Sequence, residues 1–244
     1  FKAENLATKK SKKANYQIKN TKNKENQFNM LKKLELKPKD YFEIKSYAKK
    51  LKIDFISSVF DEISIDFLKK KINSKIIKIP SGEINNIFIL DKLNISSYKI
   101  ILSTGMANLN EIAEGINKIC KTKVFKFRDN KIIILDKKKH SKLKKKISIL
   151  HCITDYPVKD KYANLNCIET LKNEFKIQTG YSDHTNGILA PLIAVSKGAK
   201  IIEKHLTINK KMDGPDHLAS LEPIEFKKMT SFIRKYEEMC GNGK

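Results

Sequence analysis

Two histidines raise the question of chemistry. His184 closes a short β-type run, Gly180-Tyr181-Ser182-Asp183-His184, and His205 closes a second, Ala199-Lys200-Ile201-Ile202-Glu203-Lys204-His205, with an apolar helical segment between them. A parallel β-α-β unit sets the ends of neighbouring strands side by side, about 4.8 Å apart. Both imidazoles then stand at one edge of a sheet, within reach of a shared metal ion. A histidine at a strand end also serves as a plain hydrogen-bonded structural residue. The neighbours here favour a ligand: Ser182, Asp183 and Thr185 surround the first, and Gly214-Pro215-Asp216-His217 follows the second as a turn-forming loop.

Lys78 raises a second question. It lies inside the apolar run Ile76-Ile77-Lys78-Ile79-Pro80, where an ammonium group is costly unless it meets an anion. That anion is either a carboxylate of the chain, Glu83 or Glu203, or a bound phosphate or carboxylate. Ser58, Ser81, Ser103, Thr154 and Ser182 each fall at the carboxyl end of a predicted strand. Hydroxyls and backbone N–H groups beside a lysine make a phosphate cradle.

The elements that must position these groups alternate. Residues 1–26 are polar, rich in Lys and Asn, and read as a long loop. A short helix follows at 27–36, then one opened by Pro38 with Phe42, Ile44, Tyr47, Ala48 and Leu51 on its buried side. Strands are expected at 54–60, 76–80, 98–103, 147–152, in the run ending at His184, and at 199–205, with helices between them. Asn108 and Glu111 form a capping-box signature for one of these helices. Residues 122–146 break the rhythm with a hairpin turning at Asp129-Asn130 and a lysine-rich run, read as a solvated surface insertion. Strands too apolar to have a wet face, separated by helices, predict a parallel sheet covered on both sides. Polar groups at the carboxyl end of every strand point to a (β/α)8 TIM barrel over 27–244, incomplete because it holds six of eight strands.

Composition narrows the classes. The chain has 244 residues, 40% of them hydrophobic, enough for a core. Lys and Arg number 50 against 27 Asp and Glu, a net charge of +23. Nearly all of that excess is lysine, spread along the chain, with only Arg128 and Arg234 as arginines. A nucleic-acid surface concentrates arginine and pairs it with aromatics, so no nucleic-acid partner is expected. The four cysteines show no CxxC spacing and read as reduced thiols of a cytoplasmic protein. No apolar run approaches the roughly 18 residues of a membrane span.

GYSDHT, the strand end IIEKH and GPDHLAS, with Lys78-Ile79-Pro80-Ser81-Gly82-Glu83, Ser103-Thr104-Gly105-Met106 and His151-Cys152 followed by Tyr156-Pro157, resemble the motifs of the sialic acid synthase family. N-acetylneuraminate, pseudaminic acid and legionaminic acid synthases are its members. The resemblance covers most of residues 53–230 and implies condensation of phosphoenolpyruvate with an N-acetylated aldose, N-acetylmannosamine above all, to give N-acetylneuraminate and phosphate. It implies that His184 and His205 hold a divalent ion, Mn2+ or Mg2+. Lys78, Ser58, Ser81, Ser103, Thr154 and Ser182 would bind phosphoenolpyruvate. Glu83, Tyr156 and Asp216 would form the catalytic, sugar-contacting set, with Glu83 placed for proton transfer.

Departures from the family pattern set further expectations. Phe1-Lys2-Ala3-Glu4 resembles the stretch just after the family's second strand, so the first two strands are expected to be missing. The family's C-terminal antifreeze-like domain is expected to be absent, and with it an arginine donated across a homodimer. Ser58-Val59-Phe60 stands where threonine-proline-phenylalanine is usual and keeps the hydroxyl. Such a chain is expected to be weak or inactive alone. The rival readings are a pseudaminic or legionaminic acid synthase, a metal-dependent hydrolase on the same barrel, and a non-catalytic fragment that binds metal or phosphoenolpyruvate.

Overall fold

The computed structural model describes residues 1–21 and 23–241. Its helices in chain order are α1 (Ala3–Leu6), α2 (Asn15–Asn20), α3 (Gln27–Leu34), α4 (Pro38–Lys50), α5 (Glu62–Phe67), α6 (Ile87–Lys92), α7 (Leu109–Cys120), α8 (Lys137–Leu143), α9 (Cys167–Phe175), α10 (Leu189–Ser196) and α11 (Pro223–Cys240). Its strands are β1 (Ile76–Ile79), β2 (Lys99–Ser103), β3 (Phe125–Arg128), β4 (Lys131–Ile134), β5 (Ile147–Cys152), β6 (Gln178–Asp183) and β7 (Ile202–Lys204). The result is an α/β fold divided into two compact units. One comprises Phe1–Lys13 and Lys24–Ser148, the other Ala14–Asn23 and Ile149–Lys244.

In the first unit β1 and β2 run parallel, with Lys78 opposite Ile101. Ile100 N donates to Lys146 O at 2.7 Å, which brings the start of β5 beside β2. Ile77, Ile79, Ile100 and Leu102 of the strands are buried, as are Ile112, Ala113, Ile116 and Ile119 of α7. Each such isoleucine contributes roughly 1.5–3 kcal/mol by leaving water. The start of α7 is fixed as its sequence predicts: Asn108 Oδ1 accepts from Glu111 N at 3.0 Å, and Glu111 Oε2 accepts from Asn108 N at 2.8 Å. The expected hairpin also forms. β3 and β4 pair antiparallel, and Asp129 and Asn130 turn the chain with φ of 51° and 58°. The side chain of Asn117 fastens the hairpin to α7, donating to Phe125 O and accepting from the backbone N–H groups of Val124 and Phe125.

Three local expectations are corrected. Residues 54–60 form no strand; Ser58 makes a single parallel bridge to Lys78, so five parallel strands stand where six were expected among the described residues. Residues 1–26 are not uniformly loop, since α1 and α2 lie within them. On α4 four of the five residues expected inside face solvent, with Phe42, Ile44, Tyr47 and Leu51 exposed by 47%, 42%, 64% and 53%. Of the expected set only Ala48 is half-buried, and it shares that stripe with Tyr41 and Lys45. Tyr41 sets its ring edge against Phe55 and Phe67, and Lys45 Nζ bonds Ile72 O.

In the second unit β5, β6 and β7 are successive neighbours. β6 and β7 are parallel, with Ser182 opposite Glu203 and Asp183 opposite Lys204. Ile168, Tyr181, Ala194 and Ala199 form a buried cluster, with Leu165, Ala190 and Ile202 packed on it. Gly180 is required in β6. A β-carbon there would stand 2.6 Å from Leu150 Cδ2 and collide with the carbonyl oxygen of Ile201. Among the described residues no helix is long and apolar enough to cross a membrane. All four cysteines are free thiols, and burial pushes that of Cys120 up to about 12.

Candidate active site

Each unit carries a share of the chemistry-bearing residues. In the first, Lys78 is 6% exposed and donates from Nζ to Ser103 Oγ at 2.8 Å. The bridge to Lys78, through Val59 N to Lys78 O at 3.1 Å and Lys78 N to Ser57 O at 3.3 Å, lays the backbone of Ser58 alongside it. Ser81 and Glu83 begin and end the 3-10 turn that follows β1. Glu83 Oε2 accepts from Asn86 Nδ2 at 2.6 Å, which orients that carboxylate. Lysine, hydroxyls and a turn at the end of a parallel strand make an environment for an anion.

In the second unit His184, at the end of β6, is 5% exposed. Its Nδ1 lies 2.6 Å from Ile153 O; a carbonyl only accepts, so Nδ1 carries the proton and Nε2 keeps the lone pair. Burial, reinforced by the nearby His205, holds its pKa down at about 4. His184 is therefore a neutral imidazole at ordinary pH, the form that binds metal. His205 follows β7, and the two rings lie 5.4 Å apart between centroids. Ser182 Oγ donates to Glu203 Oε1 at 2.7 Å and lies 3.4 Å from His184 Nε2.

The ring of Tyr156 lies 4.1 Å from that of His184 and 5.5 Å from that of His205. Burial above all holds its hydroxyl protonated and able to donate. Thr154 sits two residues earlier, half-buried. Asp216 Oδ2 is 4.0 Å from His205 Nδ1. Burial raises the Asp216 pKa above the ordinary carboxylate range, with His205 and His217 pulling the other way. The loop before it is tight: a β-carbon on Gly214 would lie 2.7 Å from the ring of His217, whose Nδ1 is 2.8 Å from Thr207 Oγ1.

Among the described residues no group of three or more His, Cys, Asp and Glu side chains is gathered as a metal cluster. The donor set fits a two-imidazole site. His184 has its tautomer fixed by a carbonyl, as metal-binding histidines do, and substrate or water oxygens would fill the remaining positions.

Every residue of the chain, 1–244, matches the NeuB family model. The chain belongs to the NeuB family. It is 45% identical over 243 residues to the N,N'-diacetyllegionaminic acid synthase of Campylobacter jejuni, covering all of this chain and 67% of that protein. To the N,N'-diacetyllegionaminic acid synthase of Legionella pneumophila it is 40% identical, covering 64% of that protein. Among solved structures it is similar to the N-acetylneuraminic acid synthetase of Leptospira borgpetersenii, with a TM-score of 0.76 and 32% identity over 99% of this chain and 77% of that one.

Sequence reasoning named Asp183 beside His184 but missed its partner Lys204, and it missed other residues packed around these two histidines. Asp183 and Lys204, each adjacent to a histidine, form a 2.7 Å ion pair with both side chains 0% exposed. Asp183 Oδ1 also accepts from Thr185 N at 2.8 Å, and Lys204 Nζ bonds Thr185 O. The opposition of Asp183 and Lys204 follows once β6 and β7 are paired in register, so the signal was present. Tyr16 and Asn20 of α2 also belong here, the first with its ring tilted against Tyr156 at 5.0 Å and the second bonding the carbonyl of Tyr156. Nothing local in a polar stretch marks them.

Proposed function

We propose that the chain carries the catalytic barrel of a nonulosonic acid synthase, which joins phosphoenolpyruvate to an N-acetylated aldose and releases phosphate. The observation that carries this reading is the pair of adjoining imidazoles, one buried, neutral and tautomerically fixed, backed by Tyr156 and Asp216. Family membership supports it.

In this reading Lys78 and the hydroxyls of Ser58, Ser81, Ser103, Thr154 and Ser182 bind phosphoenolpyruvate. Lys78 neutralises charge and Ser103, already bonded to it, shares the same anion. His184 and His205 hold a divalent ion, Mn2+ or Mg2+, which supplies polarisation of the sugar aldehyde oxygen. Tyr156 and Asp216 orient the open-chain sugar. Glu83, held by Asn86, positions a hydroxyl or takes a proton. The enol carbon forms a bond to the aldehyde carbon, whose oxygen takes up a proton. Water adds at the electron-poor C2, and the C2–O bond to phosphate breaks. Positioning and charge stabilisation supply most of the acceleration.

The sugar is the finer question. N-acetylmannosamine is the substrate expected from the motifs, whereas the identities of 45% and 40% to N,N'-diacetyllegionaminic acid synthases favour an aldose bearing two acetamido groups. A cytoplasmic homodimer whose barrel and C-terminal domain extend beyond these residues belongs to the same proposal. The test is phosphate release from phosphoenolpyruvate with Mn2+ and each aldose, for this chain and for a longer form. Activity with one aldose, lost in His184→Ala and in His205→Ala, supports the synthase. No release with any N-acetylated aldose overturns it in favour of the hydrolase or the binding fragment.

A further inference from the structure

Helix α2 is six residues long and joins the second unit from far away in the sequence. Side-chain bonds brace its single turn and a half. Gln17 Oε1 accepts from Ala14 N at 2.9 Å, Gln17 Nε2 donates to Tyr16 Oη at 3.2 Å, and Thr21 Oγ1 donates to Gln17 O at 2.6 Å. Two side chains then connect it to the site. Asn20 spends both hydrogens of one amide nitrogen on two different loops: Nδ2 donates to Tyr156 O at 2.9 Å and to Pro215 O at 2.7 Å. Those carbonyls belong to Tyr156 and to the residue before Asp216. A third tie, from Asn23 Nδ2 to Asp213 Oδ2 at 3.2 Å, lies on the same loop as Asp216. Tyr16 covers the face of Tyr156 at 5.0 Å, and Tyr156 in turn lies against His184. Burial above all, and next the charge of Asp216, raises the pKa of the Tyr16 hydroxyl.

We infer that α2 is a specificity element of the sugar-binding end. Asn20 is a positioning residue that sets the gap between Tyr156 and Asp216, and Tyr16 is the wall that backs Tyr156 there. This rests on the proposed role of Tyr156 and Asp216 as sugar contacts. A primary amide suits the task because its two donors diverge from one nitrogen and each satisfies a carbonyl that no regular ladder reaches. An aspartate of the same shape would turn acceptors toward two acceptors.

The test is Asn20→Asp, with Tyr16→Ala beside it, in the full chain. Expected in both is a rise of about tenfold or more in KM for the aldose, with KM for phosphoenolpyruvate held within about twofold, the split that separates loss of one substrate's binding from general damage. Amide hydrogen exchange is expected to quicken in residues 153–158 and 213–217 of Asn20→Asp, with the melting temperature little changed. Unchanged exchange in both loops overturns the inference. So does a parallel rise in both KM values with a lowered melting temperature, which would make α2 merely structural. If neither the unaltered chain nor a longer form consumes phosphoenolpyruvate, the proposed function fails, and the exchange result alone decides whether Asn20 clamps the two loops.

Discussion

Asp183 and Lys204 sit one residue before the two histidines, on opposed strand ends. A buried ion pair recovers little more than the cost of removing both charges from water, while a lone survivor is left uncompensated by about 3–5 kcal/mol. Lys204→Met and Asp183→Asn are therefore each expected to lower unfolding stability by about that amount, and the double variant to return to within about 1 kcal/mol of the parent. Urea titrations of the four proteins check this; purely additive losses would show that the two groups do not interact. His184 gives a pH dependence with a definite sign. Its pKa is about 4 when folded and near 6.5 when unfolded, so the unfolded chain takes up the proton first. The stability it contributes is complete above about pH 6.5 and is lost as pH falls from there toward about 4. His151, also buried, with its Nε2 2.8 Å from Ala163 O, is shifted downward too and adds to the same loss. Melting temperatures of the metal-free chain across this interval should decline, and His184→Gln should flatten part of the decline. A level profile would contradict the burial of these imidazoles.

Elements were legible where local chemistry decides them. Asn108 with Glu111 marks the start of α7 because the capping bonds join residues three apart, and Asn108→Ala is expected to cost about 1 kcal/mol in chemical denaturation. Gly180→Ala should cost about 1–3 kcal/mol, since the added carbon meets a backbone carbonyl that cannot swing away; an unchanged midpoint would mean that β6 and β7 lie farther apart. Elements were illegible where a distant partner decides them. The apolar residues of α4 suggested one buried face, yet aromatic contact through Tyr41 turned a different stripe inward. Residues 54–60 read as a strand from their alternation, but only Ser58 found a bridging partner. Helix α2 is far shorter than a helix that persists alone in water. Its anchoring bonds from Asn20 span 136 and 195 residues of sequence, so no window along the chain could reveal it.

At the scale of the whole molecule, the alternation of strands and helices marked an α/β fold and the motifs marked one family, because strand-end residues are both the chemistry and the punctuation of such a fold. Which sugar is used was not legible, since that depends on loop spacing rather than residue type. The +23 charge makes its own prediction. Retention on a polyanion such as heparin should be strong in dilute buffer and fall steeply between about 50 and 200 mM salt, as a diffuse lysine surface releases its counterions; retention indifferent to salt would show that surface charge does not drive it. The placement of α2 has a consequence in time. A ribosome emits Ala14–Asn23 well before the rest of the unit these residues complete, beginning at Ile149. Bridging so long an intervening chain carries an entropic cost that nearby contacts do not. The clamp on the Tyr156 and Asp216 loops cannot close until Pro215 has emerged, and pulse-labelled refolding should find the amides of α2 protected after those of β6.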